Sequence, residues 1–173
     1  MTTDRSRTAP AALGLPTGRF EGRVAFQQLV RDALTTAASE GWREIVLCDD
    51  DFHDWPLGER VVADALNDWA GSGRRFTIIA TQYDEIVRRH ARFVQWRRTW
   101  DHIITCRRCP SADRSDLPSV LWSPGWLMHR IDPDRCVGVS GTEPDRRVLM
   151  RETLTEWIQN RSSPGFPATT LGL

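Results

Sequence analysis

The sequence predicts an α/β domain with a mixed, mainly parallel sheet and helices on both faces. Segments of helical period alternate three times with short apolar runs rich in β-branched residues. Three short extended segments and a final helix follow these units, and such an order favours one layered sheet. The length of 173 residues, 40% of them hydrophobic, suffices for a single domain with a sizeable core.

The first two helices and the first central strand have the clearest signals. Apolar residues recur at three- and four-residue steps from about Arg23 to Glu40, and Gly41 is placed to end this helix. Residues 44–48 form a short apolar run typical of a strand covered on both faces. Asp54, followed by Pro56, is expected to cap a second helix. The inner stripe of that helix comprises Val61, Val62, Ala65, Leu66 and Trp69.

The next unit consists of a strand, a helix and a third strand. Residues 75–80 read as a second buried strand, and 102–106 are a candidate for the third. Thr81 and Asp84 resemble a capping pair for one helix between these strands. Its apolar positions, with one histidine among them, are Ile86, Val87, His90, Phe93 and Val94.

The carboxyl-terminal third predicts three short extended pieces and a closing helix. The pieces cover residues 119–122, 126–131 and 136–139, and the helix runs from about 143 to 160. Proline and glycine without periodicity occupy both ends of the chain. We therefore expect flexible tails at residues 1–18 and 162–173, and one domain over residues 19–161.

Charge and composition exclude several classes of function. The 23 basic residues balance 23 acidic ones, and all of the basic residues are arginine. Chemistry that needs a lysine amine, such as a phosphate-loop lysine or a Schiff base, is therefore excluded. Zero net charge argues against nucleic acid as a partner. With no apolar run long enough for a bilayer and only four cysteines, we expect no membrane contact, a cytoplasmic location and no cofactor.

An acidic loop follows the first predicted strand. Asp49, Asp51 and His53 lie where open α/β sheets bind ligands, and they are suitable donors for magnesium or manganese. The alternation of Asp49 and Asp51, with Thr81 after the next strand, is similar to phosphotransferases of the haloacid dehalogenase superfamily. A metal-dependent phosphohydrolase is therefore one alternative function. Because a whole helix precedes Asp49 and lysine is absent, we favour a solvated turn and assign no metal site.

Arginines are concentrated between residues 83 and 108. Arg88 and Arg92 belong to a run in which seven arginines face three acidic residues, with Trp96 and Trp100 interleaved. A nucleic-acid-associated protein that uses helix 88–98 is therefore a second alternative. We favour the solvated face of a helix, since the whole chain is neutral. No serine–histidine–acid or cysteine–histidine set stands out, so no catalytic residue is assigned.

A resemblance to a known family lies in the carboxyl-terminal third. Residues 126–132 end in Ile-Asp, residues 136–141 end in Ser-Gly, and Asp145-Arg146-Arg147 opens a helix that finishes near Trp157. This progression resembles the end of a phospholipase D-like half-domain. Together with the preceding helix–strand order, the resemblance covers roughly residues 19–161.

The resemblance also implies what this chain lacks. Active members of the family place a histidine, a lysine two residues later and an aspartate five residues beyond. Counting back from Asp132, those first two positions hold Gly125 and Leu127, while His129 lies out of register. The family resemblance thus implies a non-catalytic domain with a binding, interaction or scaffold role, and a homodimer. The candidate binding residues are Asp49, Asp51, His53, His129, Arg88 and Arg92.

Overall fold

The computed structural model describes residues 14–110, 112–113 and 115–166, and this part of the chain forms an α/β fold. The helices are α1 (Arg23–Glu40), α2 (Arg60–Trp69), α3 (Asp84–Arg89), α4 (Ala91–Thr99) and α5 (Pro144–Asn160). The strands are β1 (Gly18–Glu21), β2 (Glu44–Cys48), β3 (Arg75–Ala80), β4 (Ile104–Arg108), β5 (Ser119–Trp122), β6 (Leu127–Asp132), β7 (Val137–Gly141) and β8 (Ser163–Pro164). They form one sheet in the order β1-β7-β6-β5-β2-β3-β4-β8.

The sheet is mixed, as predicted, but it is mostly antiparallel, so the expectation of a mainly parallel sheet is wrong. Only β2–β3 and β3–β4 pair in parallel among the described strands. Strands β5, β6 and β7 are joined by short turns and therefore form an antiparallel meander, because a parallel connection needs a crossover of a dozen or more residues. Both edge strands, β1 and β8, also pair antiparallel with their neighbours.

Helices cover both faces of the sheet, as the sequence predicts. Successive residues of β2 alternate between the faces, and all five are buried. Ile45 and Leu47 join the larger core beneath α1, α2 and α4. Val46 and Cys48 join a smaller core beneath α5. The described helices are therefore unevenly divided, with α5 alone on the second face.

The predicted third helix is two helices. It breaks at His90, where φ is −121° and ψ is 55°, between α3 and α4. The imidazole of His90 is buried, and its Nε2 lies 2.8 Å from the carbonyl oxygen of Phe52. A carbonyl only accepts hydrogen bonds, so Nε2 carries the proton and donates it. The helix thus breaks at the residue that makes this long-range hydrogen bond, although the apolar period of the segment predicts one continuous helix.

Residues 1–13 and 167–173, which make up most of the expected tails, lie outside the described residues. Inside the expected tail ranges, β1 begins at Gly18, and Ser163–Pro164 pairs with β4. The single domain over residues 19–161 stays a prediction. Among the described helices, none is both long and apolar enough to cross a membrane.

Candidate functional site

A buried arginine connects the two halves of the sheet. The side chain of Arg130, on β6, is 1% exposed and lies between two carboxylates. Its Nη2 donates to Oδ1 of Asp49 at 3.0 Å, and its Nη1 donates to Oδ2 of Asp54 at 2.6 Å. Its Nε donates to the hydroxyl of Ser119 at 3.0 Å, and the guanidinium lies 4.0 Å from the ring centre of Phe26. Every nitrogen of this side chain thus has a protein partner.

These contacts keep Arg130 charged, and they engage the carboxylates of Asp49 and Asp54 in the loop after β2. Burial alone lowers the pKa of the Arg130 guanidinium, but the hydrogen bond to Asp54 and the charges of Asp49 and Asp54 outweigh burial, so the pKa is raised above its ordinary value. Asp49 also accepts a hydrogen bond from the backbone N–H of Phe52 at 2.8 Å. Within the described residues, no group of three or more His, Cys, Asp or Glu side chains is placed to hold a metal. Both carboxylate oxygens of Asp49 are thus engaged by donors of the protein.

Asp54 and Thr81 do not cap helices, contrary to expectation. Asp54 binds Arg130, and α2 begins six residues later, at Arg60. The hydroxyl of Thr81 donates to the carboxylate of Asp50 at 2.7 Å. Both side chains stabilise the loop after β2 instead of a helix end.

Three of the predicted site residues lie around one cavity. Asp49, Asp51 and His53 line a cavity of about 290 Å³ together with Ser119 and Arg130. Oδ1 of Asp51 lies 2.6 Å from Nδ1 of His53, and it accepts that ring proton. Because the carboxylates around the cavity outnumber Arg130, its electrostatic potential disfavours a phosphate group. The acidic loop is therefore a poor site for nucleic acid.

His129 lies on the other face of the sheet. It precedes Arg130 on β6, and neighbouring residues of a strand point to opposite faces. His129 lines a separate cavity of about 450 Å³ between β6, β7 and α5. Burial, followed by the nearby charge of Arg146, lowers the pKa of the His129 imidazole. The structure thus separates His129 from Asp49, Asp51 and His53.

Arg88 and Arg92 belong to a third location, on the exposed surface of α3 and α4. Arg92 and Arg60, at the start of α2, line a groove of about 300 Å³ between α2 and α4. Arg88 and Arg89 are exposed on the last turn of α3. We refer to Arg60, Arg88, Arg89 and Arg92 as the arginine surface. The run of arginines in the sequence predicts most of it, but Arg60 joins it only because α2 packs against α4.

The side chains of the arginine surface remain available to a ligand. Arg88 and Arg89 both contact Glu85, at 3.1 and 2.6 Å, yet 69% and 54% of their side chains are exposed. Arg92 donates from Nη1 to the carbonyl oxygen of Gly58 at 2.9 Å. A guanidinium has five N–H donors, so these contacts leave further donors for phosphate oxygens.

The backbone beneath the arginine surface is fixed by the loop after β2. His90 is hydrogen-bonded to Phe52, as described above. At Gly58 the chain passes so close that an added Cβ would lie 2.7 Å from the carbonyl oxygen of Arg89. Both contacts position the junction of α3 and α4. Burial lowers the pKa of His90, although the hydrogen bond to Phe52 partly opposes this change.

Acid should weaken the fold through His90. Because the pKa of His90 is lower in the folded state, the unfolded chain binds more protons in the interval below the ordinary value near 6.5. The free energy of unfolding should therefore decrease as pH falls from about 7 into this interval. Urea denaturation at several pH values measures this decrease.

His90→Gln keeps a side-chain N–H donor and removes the titration, so its unfolding free energy should vary less with pH than that of the wild type. His129 also has a lowered pKa, so the double variant His90→Gln/His129→Gln should vary least. An unchanged pH dependence in both variants would contradict the assignment.

Arg130, which lines the cavity beside Asp49, Asp51 and His53, is not among the site residues predicted from the sequence. Arg130 has a signal in the sequence, since it stands between Met128 and Ile131 in an apolar strand and so needs a buried partner. Its partners Asp49 and Asp54 are 81 and 76 residues away along the chain, and local pattern does not identify them.

Comparisons with known proteins establish a similarity of fold. No family model matches the chain, and no curated protein matches it. Among solved structures, the chain is similar to TrmBL2, an archaeal chromatin protein, with a TM-score of 0.59 and 14% sequence identity. The match covers 84% of this chain and 53% of the other, so this chain spans about half the length of TrmBL2. At this identity, the two proteins are shown to share an α/β fold.

Proposed function

We propose that this chain is a nucleic-acid-associated protein and that its arginine surface binds the phosphate backbone. The observation that carries the proposal is the exposed set of guanidinium groups at Arg60, Arg88, Arg89 and Arg92, on adjoining helices. Arginine is well suited to phosphate, because its planar group can donate two parallel hydrogen bonds to one phosphate.

The structural similarity corrects our main expectation. The structure of TrmBL2 is described as showing a novel mode of DNA binding. This finding contradicts the expected scaffold role and supports the alternative of nucleic-acid association. It also conflicts with the argument from net charge. Net charge is a sum over the whole chain, whereas Asp49 and Asp54 are buried against Arg130. On the arginine surface, the four arginines have Glu85 and Asp64 as acidic neighbours.

The arrangement favours binding without base specificity. The four arginines lie on the exposed sides of α2 and α3 and on the first turn of α4, and α3 has only six residues. A helix that reads bases presents a row of side chains along its length in the major groove. Contacts to phosphate position a protein on nucleic acid and carry no sequence information directly.

Substitution of Arg88 and Arg92 by alanine tests the proposal. Affinity for a DNA duplex or an RNA oligomer, measured by fluorescence anisotropy, should fall by about thirtyfold in Arg88→Ala/Arg92→Ala, since each lost charged contact costs of the order of 1 kcal/mol. The slope of log K against log salt should be about −3 to −4 for the wild type if all four arginines contact phosphates. Each substitution should reduce this slope by about 1.

Arg19→Ala is the matched control. Arg19 is an exposed arginine on the edge strand β1 and lies on none of the helices that carry the arginine surface. Its substitution should leave affinity and salt slope unchanged. No measurable binding by the wild type at 50 mM salt, or equal losses for Arg19→Ala and Arg88→Ala/Arg92→Ala, would refute the proposal.

We also propose that the fold is that of a phospholipase D-like half-domain. The resemblance is supported by the order of elements in the carboxyl-terminal third. Strand β6 ends at Asp132, β7 ends at Gly141, and α5 contains Asp145 in its first turn and buries Trp157 near its end. Superposition of this fold on known half-domains tests the assignment. Cytoplasmic location and homodimer formation stay predictions.

A further inference from the structure

The second face of the sheet is incompletely covered. Among the described elements, α5 alone packs on this face, where Met150, Leu154 and Trp157 meet β2 and β5. The outer strands β6 and β7 extend beyond it. Next to α5, Ile131 on β6 is 61% exposed.

A large apolar groove follows from this incomplete cover. Its volume is about 450 Å³, and Leu127, Ile131 and Val139 from the sheet line it together with Leu149 from α5. Leu149 is 64% exposed, and its neighbour Val148 is 59% exposed. Exposed apolar surface around a groove marks interaction sites in monomeric folds.

The exposed side of α5 indicates which partner fits the groove. Arg146, Leu149, Thr153 and Glu156 occur at intervals of three, four and three residues, so they form one stripe along the helix beside the groove. If two copies of this stripe meet antiparallel about a two-fold axis, Leu149 lies opposite Thr153. Arg146 then lies opposite Glu156 of the other copy, and the two-fold axis repeats this ion pair, so the interface contains two of them. The stripe is therefore complementary to itself, as an isologous interface requires.

We propose that the groove binds a second copy of this chain through α5. In the dimer, the two α5 helices lie side by side and antiparallel between the two sheets. Val148 and Leu149 of each copy cover the exposed apolar residues of the other copy's β6 and β7. The interface removes from water the apolar side chains that the isolated chain leaves exposed, which favours association.

Existing contacts of the stripe do not oppose this arrangement. Arg146 contacts Glu143 at 3.1 Å, but both side chains are more than half exposed. Glu156 accepts a hydrogen bond from Asn160 on the helix surface. Exposed pairs of this type contribute little free energy, so they can be exchanged for contacts across an interface.

Sedimentation equilibrium of the wild type and four variants tests the proposal. The wild type should be a dimer at 50 μM. Leu149→Glu should raise the dimer dissociation constant at least about a hundredfold, because it places a carboxylate in the apolar contact. Val24→Glu is the matched control, since Val24 is 83% exposed on α1, which packs on the other face of the sheet, and this variant should remain a dimer.

Charge reversal identifies the antiparallel register. Arg146→Glu should weaken the dimer about tenfold, and Arg146→Glu/Glu156→Arg should restore it, because the pair is reversed as a unit. A monomeric wild type at 50 μM would overturn the proposal. A dimer that Leu149→Glu leaves intact would place the interface elsewhere, and failure of the double reversal to restore association would overturn the register.

The readout is independent of nucleic acid, so failure of the proposed function would leave this result unaffected.

Discussion

Arg130→Met should destabilise the folded protein by about 3–5 kcal/mol. The substitution leaves the buried carboxylates of Asp49 and Asp54 without their cation, and removal of one partner from a buried ion pair costs this much. It also removes the donor to Ser119. Urea denaturation followed by circular dichroism measures the loss, and comparable stability of variant and wild type would contradict it.

Neutralising the whole group should recover part of the stability. In Arg130→Met/Asp49→Asn/Asp54→Asn no uncompensated charge is buried, so the triple variant should be more stable than Arg130→Met alone. Arg135→Ala is the control for loss of an arginine. Arg135 is exposed and lies 4.0 Å from Asp132, and its loss should change stability by less than about 0.5 kcal/mol.

Gly138→Ala should destabilise the protein by about 3 kcal/mol or more. An added Cβ at Gly138 would collide with the carbonyl oxygen of His129 and would lie 2.8 Å from Cα of Arg130. Both obstacles are backbone atoms of β6, so a side-chain rotation does not relieve the overlap, and β7 must move away from β6. The move would also disturb the strand that carries Arg130.

Gly141→Ala is the matched control on the same strand. A Cβ at Gly141 would make only ordinary contact with Thr17, at 3.9 Å, and the change should be nearly neutral. Thermal unfolding of both variants by differential scanning calorimetry separates the two cases. Similar melting temperatures for Gly138→Ala and Gly141→Ala would show that β6 and β7 are less closely packed than the structure has them.

Local sequence predicts the elements whose signals lie inside them. Helix α1 spans the predicted residues and ends at Gly41, whose φ of 69° suits glycine. Strand β2 also has the predicted bounds, because a short apolar run needs cover on both faces. The local sequence does not determine the directions in which the strands pair. The place of β5 beside β2, antiparallel to it, depends on contacts between residues more than seventy positions apart.

For the candidate site as well, the sequence predicts the features that lie within one segment and not those that join distant segments. One loop holds Asp49, Asp51 and His53, so their proximity follows from the sequence alone. The role of Asp49 does not, since its partner Arg130 comes from a strand late in the chain. Similarly, the arginine run predicts Arg88 and Arg92 as surface residues, whereas the groove that Arg92 shares with Arg60 depends on how two helices pack.

The pairing of β1 with β7 has a consequence for biosynthesis. Residues 18–21 form their ladder with residues 137–140, so β1 has no strand partner until β7 is synthesised. At ordinary elongation rates this delay is roughly ten seconds. During that time the carboxylates of Asp49 and Asp54 also lack Arg130. The nascent chain therefore cannot complete this part of its sheet until β7 has been synthesised, and a chain cut short before β6 lacks both the partner of β1 and the buried cation.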